Sequence, residues 1–174
     1  MPICNFCHHQ AKQFAYYKWT RRYSQCQKCK SLERLRTVGL FFNKKKQDIS
    51  FDHMLHFAPE GCLQKFFRQQ CKPRIYECGD INPKKRKNLQ IPPKKMDATR
   101  LQVSDNTYTL IYANHLLEHV LDDTKALREI YRVLQPGGFF ITTIPQDLQR
   151  STTYQFEEGK KKNPAEARAL IKKW

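Results

Sequence analysis

Cys4, Cys7, Cys26 and Cys29 stand as two CxxC pairs with 18 residues between them. This pattern limits what the first 30 residues can fold into. A CxxC turn brings two thiolates within reach of one ion, and two such turns complete a tetrahedral four-cysteine shell. The spacing therefore predicts a structural Zn2+ held by those four residues, tying down a segment with little core of its own. Lys12, Lys18, Lys28 and Lys30 offset the thiolate charge. His8 and His9 follow the first knuckle and are expected as exposed neighbours rather than ligands. Phe14, Tyr16, Tyr17 and Trp19 are expected to pack as short strands of a ribbon; the alternative is stacking on bases beside Arg21 and Arg22.

The chain has seven cysteines, an odd number, and begins Met1-Pro2-Ile3-Cys4 without a basic segment leading into an apolar one. A disulfide framework and a secretory leader are therefore not expected, and the reading is a protein of a reducing, cytoplasmic setting. Cys62, Cys71 and Cys78 lack pair spacing and read as buried free thiols. No apolar run approaches the roughly 18 to 20 residues that a spanning helix needs, so no membrane association is expected.

From residue 31 onward the hydrophobic pattern alternates between two periods. Ser31 reads as a helix cap, with Leu32, Leu35, Val38, Leu40 and Phe41 at helical spacing and Lys44-Lys45-Lys46 closing the helix. A strand ending at Ala58, a helix carrying Leu63, Phe66 and Phe67, and a strand from Arg74 to Cys78 follow. Residues 81–95 hold six basic and no acidic residues and three prolines, and read as a loop. Within it, Pro83-Lys84-Lys85-Arg86-Lys87 has the look of a short nuclear-import signal. Met96-Asp97-Ala98 reads as a brief strand and Tyr108 to Ala113 as a clear one. Asp122 caps a helix with Ala126, Leu127, Ile130, Tyr131 and Leu134 on one face, which Pro136-Gly137-Gly138 ends. Phe139 to Ile144 closes the series as a buried strand.

Strands alternating with helices predict an α/β fold, a doubly wound, mostly parallel sheet of about five strands with a small N-terminal zinc ribbon. The expected division is 1–30 ribbon, 31–50 linking helix, 51–154 Rossmann-like domain and 155–174 basic helical tail. Ligands of such sheets sit beyond the carboxyl ends of the strands, at the switch point. That rule singles out Pro59, Glu60, Asp80, Asp97, Asn114 and His115.

Charge is uneven. The net formal charge of +16 divides into +9 over residues 1–50, +2 over 51–159 and +5 over 160–174. The central domain is nearly neutral and the ends carry the excess, which favours anionic partners such as RNA or an acidic protein surface.

Asn114-His115-Leu116-Leu117-Glu118-His119-Val120, followed by Ala126 through Gly138, resembles the block between the fourth and fifth strands of class I S-adenosylmethionine-dependent methyltransferases. The resemblance runs from Cys4 to about Tyr154. It is greatest to a subgroup with an N-terminal CxxC…CxxC ribbon and His-x-Ala-Pro-Glu in place of a glycine-rich loop, here His56-Phe57-Ala58-Pro59-Glu60. It implies a Rossmann-like fold, methyl transfer, and S-adenosylmethionine as cofactor. It places the turn from Ala58 to Gly61 against the methionine moiety, Asp80 on the ribose hydroxyls, and Asp97 with Ala98 beside the adenine. Asn114 and His115 would line the cofactor and the substrate. No catalytic base follows from the sequence. The chain departs from the family pattern twice: no glycine-rich loop is present, and no strand-like run follows Ile144 where the family continues with two more strands. A natural short form, a splice product or a fragment is the expectation, with Leu170 and Trp174 covering a sheet edge.

Two other functions are consistent with parts of the sequence. A non-catalytic basic module that keeps the fold and binds RNA or protein fits the charge and the short C-terminal part. His115-Leu116-Leu117-Glu118-His119 also spells H-x-x-E-H, an inverted zinc-protease motif. That motif needs a helix presenting both histidines, whereas here it directly follows a strand.

Overall fold

A computed structural model describes residues 1–18, 22–86 and 89–144. Trp19, Arg21, Lys87 and the expected tail, with Lys160, Leu170 and Trp174, lie outside the described residues.

Two knuckles of matching geometry open the chain. In the first, the Cys4 carbonyl accepts from the His8 N–H at 2.8 Å and the Cys4 N–H donates to the His9 carbonyl at 3.0 Å. In the second, the Cys26 carbonyl accepts from the Lys30 N–H and the Cys26 N–H donates to the Ser31 carbonyl, both at 2.9 Å. His8 and Lys30, each four residues after the leading cysteine, take left-handed φ values of 53° and 61°. Between the knuckles β1 (Ala15–Tyr17) pairs antiparallel with β2 (Arg22–Gln25).

The helix α1 (Glu33–Lys45) follows. Ser31 does not cap it: Leu32 holds the cap position without a side-chain bond, and the Ser31 hydroxyl turns instead to the sulfurs of Cys29 and Cys4. A hydroxyl beside the sulfur cluster finds its partners there rather than at the helix N–H groups. The ribbon is not a loosely tethered head. Phe6 stacks on Phe66 with ring centroids 4.9 Å apart, and it lies so close to α1 that a Cβ on Gly39 would come within 2.1 Å of its ring. Only glycine permits that approach.

The main sheet contains β3 (His53–Phe57), β4 (Ile75–Asp80), β5 (Lys94–Lys95), β6 (Tyr108–Asn114) and β7 (Leu134–Thr143). Its strand order is β5-β4-β3-β6-β7, and every pairing is parallel. Chain order therefore reverses at β3, and the switch point falls between β3 and β6. Side chains alternate between two buried layers. Met54, Leu110 and Tyr112 join Leu35, Val38, Phe42, Leu63, Phe66 and Phe67 beneath α1 and α2 (Gly61–Phe66). Leu55, Phe57, Ile111 and Ala113 join Ala126, Ile130 and Val133 of α3 (Asp123–Val133). Each fully buried side chain of this size contributes roughly 1.5–3 kcal/mol relative to exposure, so this two-faced burial holds the parallel sheet together.

Three boundaries differ from the sequence reading. The third strand is Lys94–Lys95 rather than residues 96–98: these lysines pair with Gly79 and Asp80, and Asp97 starts the turn that follows. The helix capped by Asp122, whose carboxylate accepts from the Lys125 N–H at 2.8 Å, ends at Val133. Leu134 is already extended and pairs with Tyr108, so Pro136, Gly137 and Gly138 form a bulge inside β7 and do not end the helix. Gly137 takes φ 77° there.

Candidate functional site

The carboxyl ends of β3, β4 and β6 lie side by side at the switch point, the place where sheets of this kind bind their ligands. Ala58, leaving β3, adopts a left-handed φ of 47°, and its N–H donates to the Gly79 carbonyl at 2.8 Å. A side chain in that conformation is strained by about 1–2 kcal/mol, so the turn normally made by glycine is here imposed on alanine by its neighbours. Pro59 is buried, and Gly61 begins α2.

Glu60 is the hub of a polar chain across the strand ends. One carboxylate oxygen accepts from the Asn114 amide, and the other lies 3.4 Å from His56 Nε2. His56 Nδ1 is 2.6 Å from the Tyr76 hydroxyl, and the Thr143 hydroxyl donates to the Asn114 side-chain oxygen. Four strands and the start of α2 are thus joined by Tyr76, His56, Glu60, Asn114 and Thr143. His56 is completely buried, with its ring set edge-on against Phe67 and Tyr112. Its place is behind Glu60, which it orients. Burial pushes the Tyr76 phenol well above its ordinary range, so it stays a neutral donor.

Asp80 ends β4 and is buried. One of its oxygens accepts from the Asn82 N–H at 2.7 Å, and the other accepts from Arg86 Nε at 2.6 Å. Both oxygens of this strand-end carboxylate are therefore engaged, one of them by an arginine from the basic loop. Gln64 fixes the other end of that loop: its oxygen accepts from the N–H groups of Gln90 and Ile91, and its amide donates to the Ile91 carbonyl at 2.6 Å. Asp97 is exposed and accepts from the Thr99 N–H and hydroxyl at 2.9 and 2.8 Å, while Ala98 beside it is buried.

Beyond β6, His115 takes a left-handed φ of 51°, with its N–H donating to the Thr143 carbonyl at 3.0 Å. Its Nδ1 lies 2.9 Å from a Glu118 oxygen, and the second Glu118 oxygen is buried with no partner among the described residues. Leu117–His119 is a short 3-10 turn, so the H-x-x-E-H pattern lacks the helix a zinc protease needs. Among the described residues, the cluster able to hold a metal is the four cysteines.

In that cluster the four sulfurs lie within 4.8 Å of one another, with Cys4–Cys29 and Cys7–Cys26 both 3.6 Å apart. Bonds of about 2.3 Å in a tetrahedron place sulfurs about 3.8 Å apart, so the site fits Zn2+ closely. Burial opposes ionisation of Cys4, yet hydrogen bonding from Ser31 and the backbone of Phe6 and Cys7 pulls it down to about 6. Burial, aided by the adjacent sulfurs, pushes Cys7 up to about 12. A shared divalent cation is what would let all four ionise together. His8 and His9 stand outside the cluster. Burial raises Cys62 and Cys71 to about 12 and also raises Cys78, as expected of inert thiols.

The sequence reading brings out Glu60, Asp80, Asn114 and His115 from their places after strands. It misses Arg86, Tyr76, Thr143 and Gln64, whose roles depend on partners 6 to 29 positions away. Glu118 is visible in the sequence only as part of a motif for a different chemistry.

The topology defines a doubly wound, Rossmann-like α/β domain. The "Methyltransferase domain" family matches residues 58–142, so this stretch is similar to methyltransferase domains, and the sheet has their Rossmann-like fold. The ubiquinone/menaquinone biosynthesis C-methyltransferase of Desulfotalea psychrophila is 45% identical over 60 residues, 34% of this chain and 24% of that protein. The demethylmenaquinone methyltransferase of Chlamydia trachomatis serovar L2 is 41% identical over 58 residues, 33% of this chain and 24% of its own. The matched part thus spans about a quarter of those relatives. A Galdieria sulphuraria protein described as a sarcosine dimethylglycine methyltransferase shares the fold, with TM-score 0.50 and 21% identity over 63% of this chain and 46% of that one. No helix among the described residues is long and apolar enough to cross a membrane.

Proposed function

We propose that this chain binds S-adenosylmethionine at the carboxyl ends of β3, β4 and β6 and transfers its methyl group to an acceptor, while Cys4, Cys7, Cys26 and Cys29 hold a structural Zn2+. The observation that carries the reading is Asp80, a buried carboxylate at the end of the strand beside the switch point, inside a matched methyltransferase domain. S-adenosylmethionine supplies an electrophilic methyl group on a sulfonium, with a neutral thioether as leaving group. The protein has to bind, orient and exclude water. Asp80 accepts from the ribose hydroxyls once Arg86 swings aside. Asp97 and Ala98 border the adenine. The turn from Ala58 to Gly61 faces the methionine moiety, with the Glu60 carboxylate held toward its ammonium by His56 and Asn114. His115, oriented through Nδ1 by Glu118, offers Nε2 to an acceptor proton where the acceptor has one to lose.

One interaction favours a second reading, a basic module that keeps the fold without catalysis: Arg86 already occupies Asp80. Calorimetry separates the two. Titration with S-adenosylmethionine is expected to show one site per chain. No heat from a chain whose circular dichroism is intact would contradict the proposal.

A further inference from the structure

We propose that the outer face of the ribbon hairpin binds single-stranded RNA, with Tyr16 and Tyr23 as a stacking platform and the surrounding lysines and arginines on the phosphates. This surface is independent of the crevice and of the methyl-transfer reading.

Tyr16 and Tyr23 are direct cross-strand partners on β1 and β2. Their rings meet edge-to-face with centroids 5.4 Å apart, and they remain 53% and 60% exposed. The hairpin's inner face explains why. Ser24 is buried and Tyr17 is half-buried, each next to one of the tyrosines, so alternation sends Tyr16 and Tyr23 to the opposite, outer face. The sequence predicts packing for the aromatics of this segment. Phe14 does pack, beneath the Arg36 guanidinium at 4.3 Å, but this tyrosine pair does not.

Charge is concentrated in the same segment. Residues 1–32 contain no aspartate or glutamate. Lys12, Lys18, Lys28 and Lys30 on the hairpin and knuckles are all exposed. A zinc tetrathiolate leaves about two negative charges, and these are buried with Cys4 and Cys26 beneath the knuckles. Phosphates would meet the cations, while open ring faces would take unpaired bases, which stack on aromatics without regard to sequence. A duplex keeps its base faces covered, and RNA loops and ends expose them. An acidic protein would use the cations and leave the paired rings without a role.

The test is fluorescence anisotropy with the full chain and a fluorescein-labelled 12-nucleotide oligouridine. A 12-base-pair RNA duplex serves as control and polyglutamate as competitor. Tyr16→Thr with Tyr23→Thr keeps β-forming residues on an exposed face and is expected to weaken oligouridine binding at least fivefold, with the salt dependence unchanged. Tyr16→Phe with Tyr23→Phe is expected to bind as the wild type does. Lys28→Gln with Lys30→Gln is expected to reduce the salt slope by about 0.7 for each phosphate no longer neutralised. Unchanged binding by the threonine variant with intact circular dichroism would overturn the proposal. So would duplex binding as tight as that of the single strand, displacement by polyglutamate at equal charge, or no binding of oligouridine at all.

Discussion

Removing the Arg86 side chain is expected to strengthen S-adenosylmethionine binding, although arginine at a cofactor site is ordinarily lost at a cost. Asp80 has two acceptor oxygens, and both are engaged: one by the Asn82 N–H, the other by Arg86 Nε at 2.6 Å. Two ribose hydroxyls need the second oxygen. A charge-assisted hydrogen bond is worth about 1.5–3 kcal/mol when shielded. The Arg86 side chain is 39% exposed, so solvent screening brings the latch down to about 1 kcal/mol. At that strength the arginine is on Asp80 about five times as often as it is off. The open fraction is then about one sixth and the apparent affinity is reduced by that fraction, so Arg86→Ala is expected to bind about sixfold more tightly. Calorimetry at low and at high salt measures this, and the gain should shrink as salt screens the pair in the wild type. Asp80→Asn in the same assay should bind much more weakly. Weaker binding by Arg86→Ala would refute the reasoning, because it would make the arginine a ligand contact rather than a competitor.

Other consequences follow from the same geometry. Metal analysis is expected to give about one zinc per chain; Cys26→Ser, which removes a fully buried ligand, should lose it and lower stability by several kcal/mol. Gln64→Ala strands the Gln90 and Ile91 backbone groups and should cost about 2–3 kcal/mol in urea unfolding. Glu129 is held at about 2 by its hydrogen bonds from Arg132, which also reaches the carbonyls of Leu101 and Val103. Because its folded value is depressed, that stabilisation is complete above the ordinary value of 4.5 and fades as pH falls toward 2. Glu129→Gln should therefore be less stable than the wild type at pH 6 and should converge with it near pH 2, as followed by chemical denaturation.

The parallel sheet is legible in the sequence because its strands are buried on both faces and read as short apolar runs separated by helical periods. The residues after those runs, Glu60, Asp80, Asn114 and His115, are legible for the same reason, since strand ends fix where a crevice must lie. Lys94 and Lys95 are not, because a two-residue edge strand of exposed lysines carries no hydrophobic signal and exists only through its pairing with Gly79 and Asp80. Ser31 satisfies the local rule for a helix cap, but a tertiary partner, the sulfur cluster, outweighs it. The Pro136-Gly137-Gly138 stop is misplaced because the pairing of Leu134 with Tyr108 draws the chain into the sheet before the glycines are reached. Arg86 on Asp80 cannot be read from sequence at all: nothing in a run of basic residues says which one turns inward.

The central claim, that the strand ends around Asp80 hold S-adenosylmethionine, is tested most directly by a crystal structure with S-adenosylhomocysteine. The ribose hydroxyls are expected within hydrogen-bond distance of Asp80, the adenine beside Asp97 and Ala98, and Arg86 displaced from the carboxylate. Crystals grown at saturating ligand with Arg86 still on Asp80 and an empty crevice would contradict it.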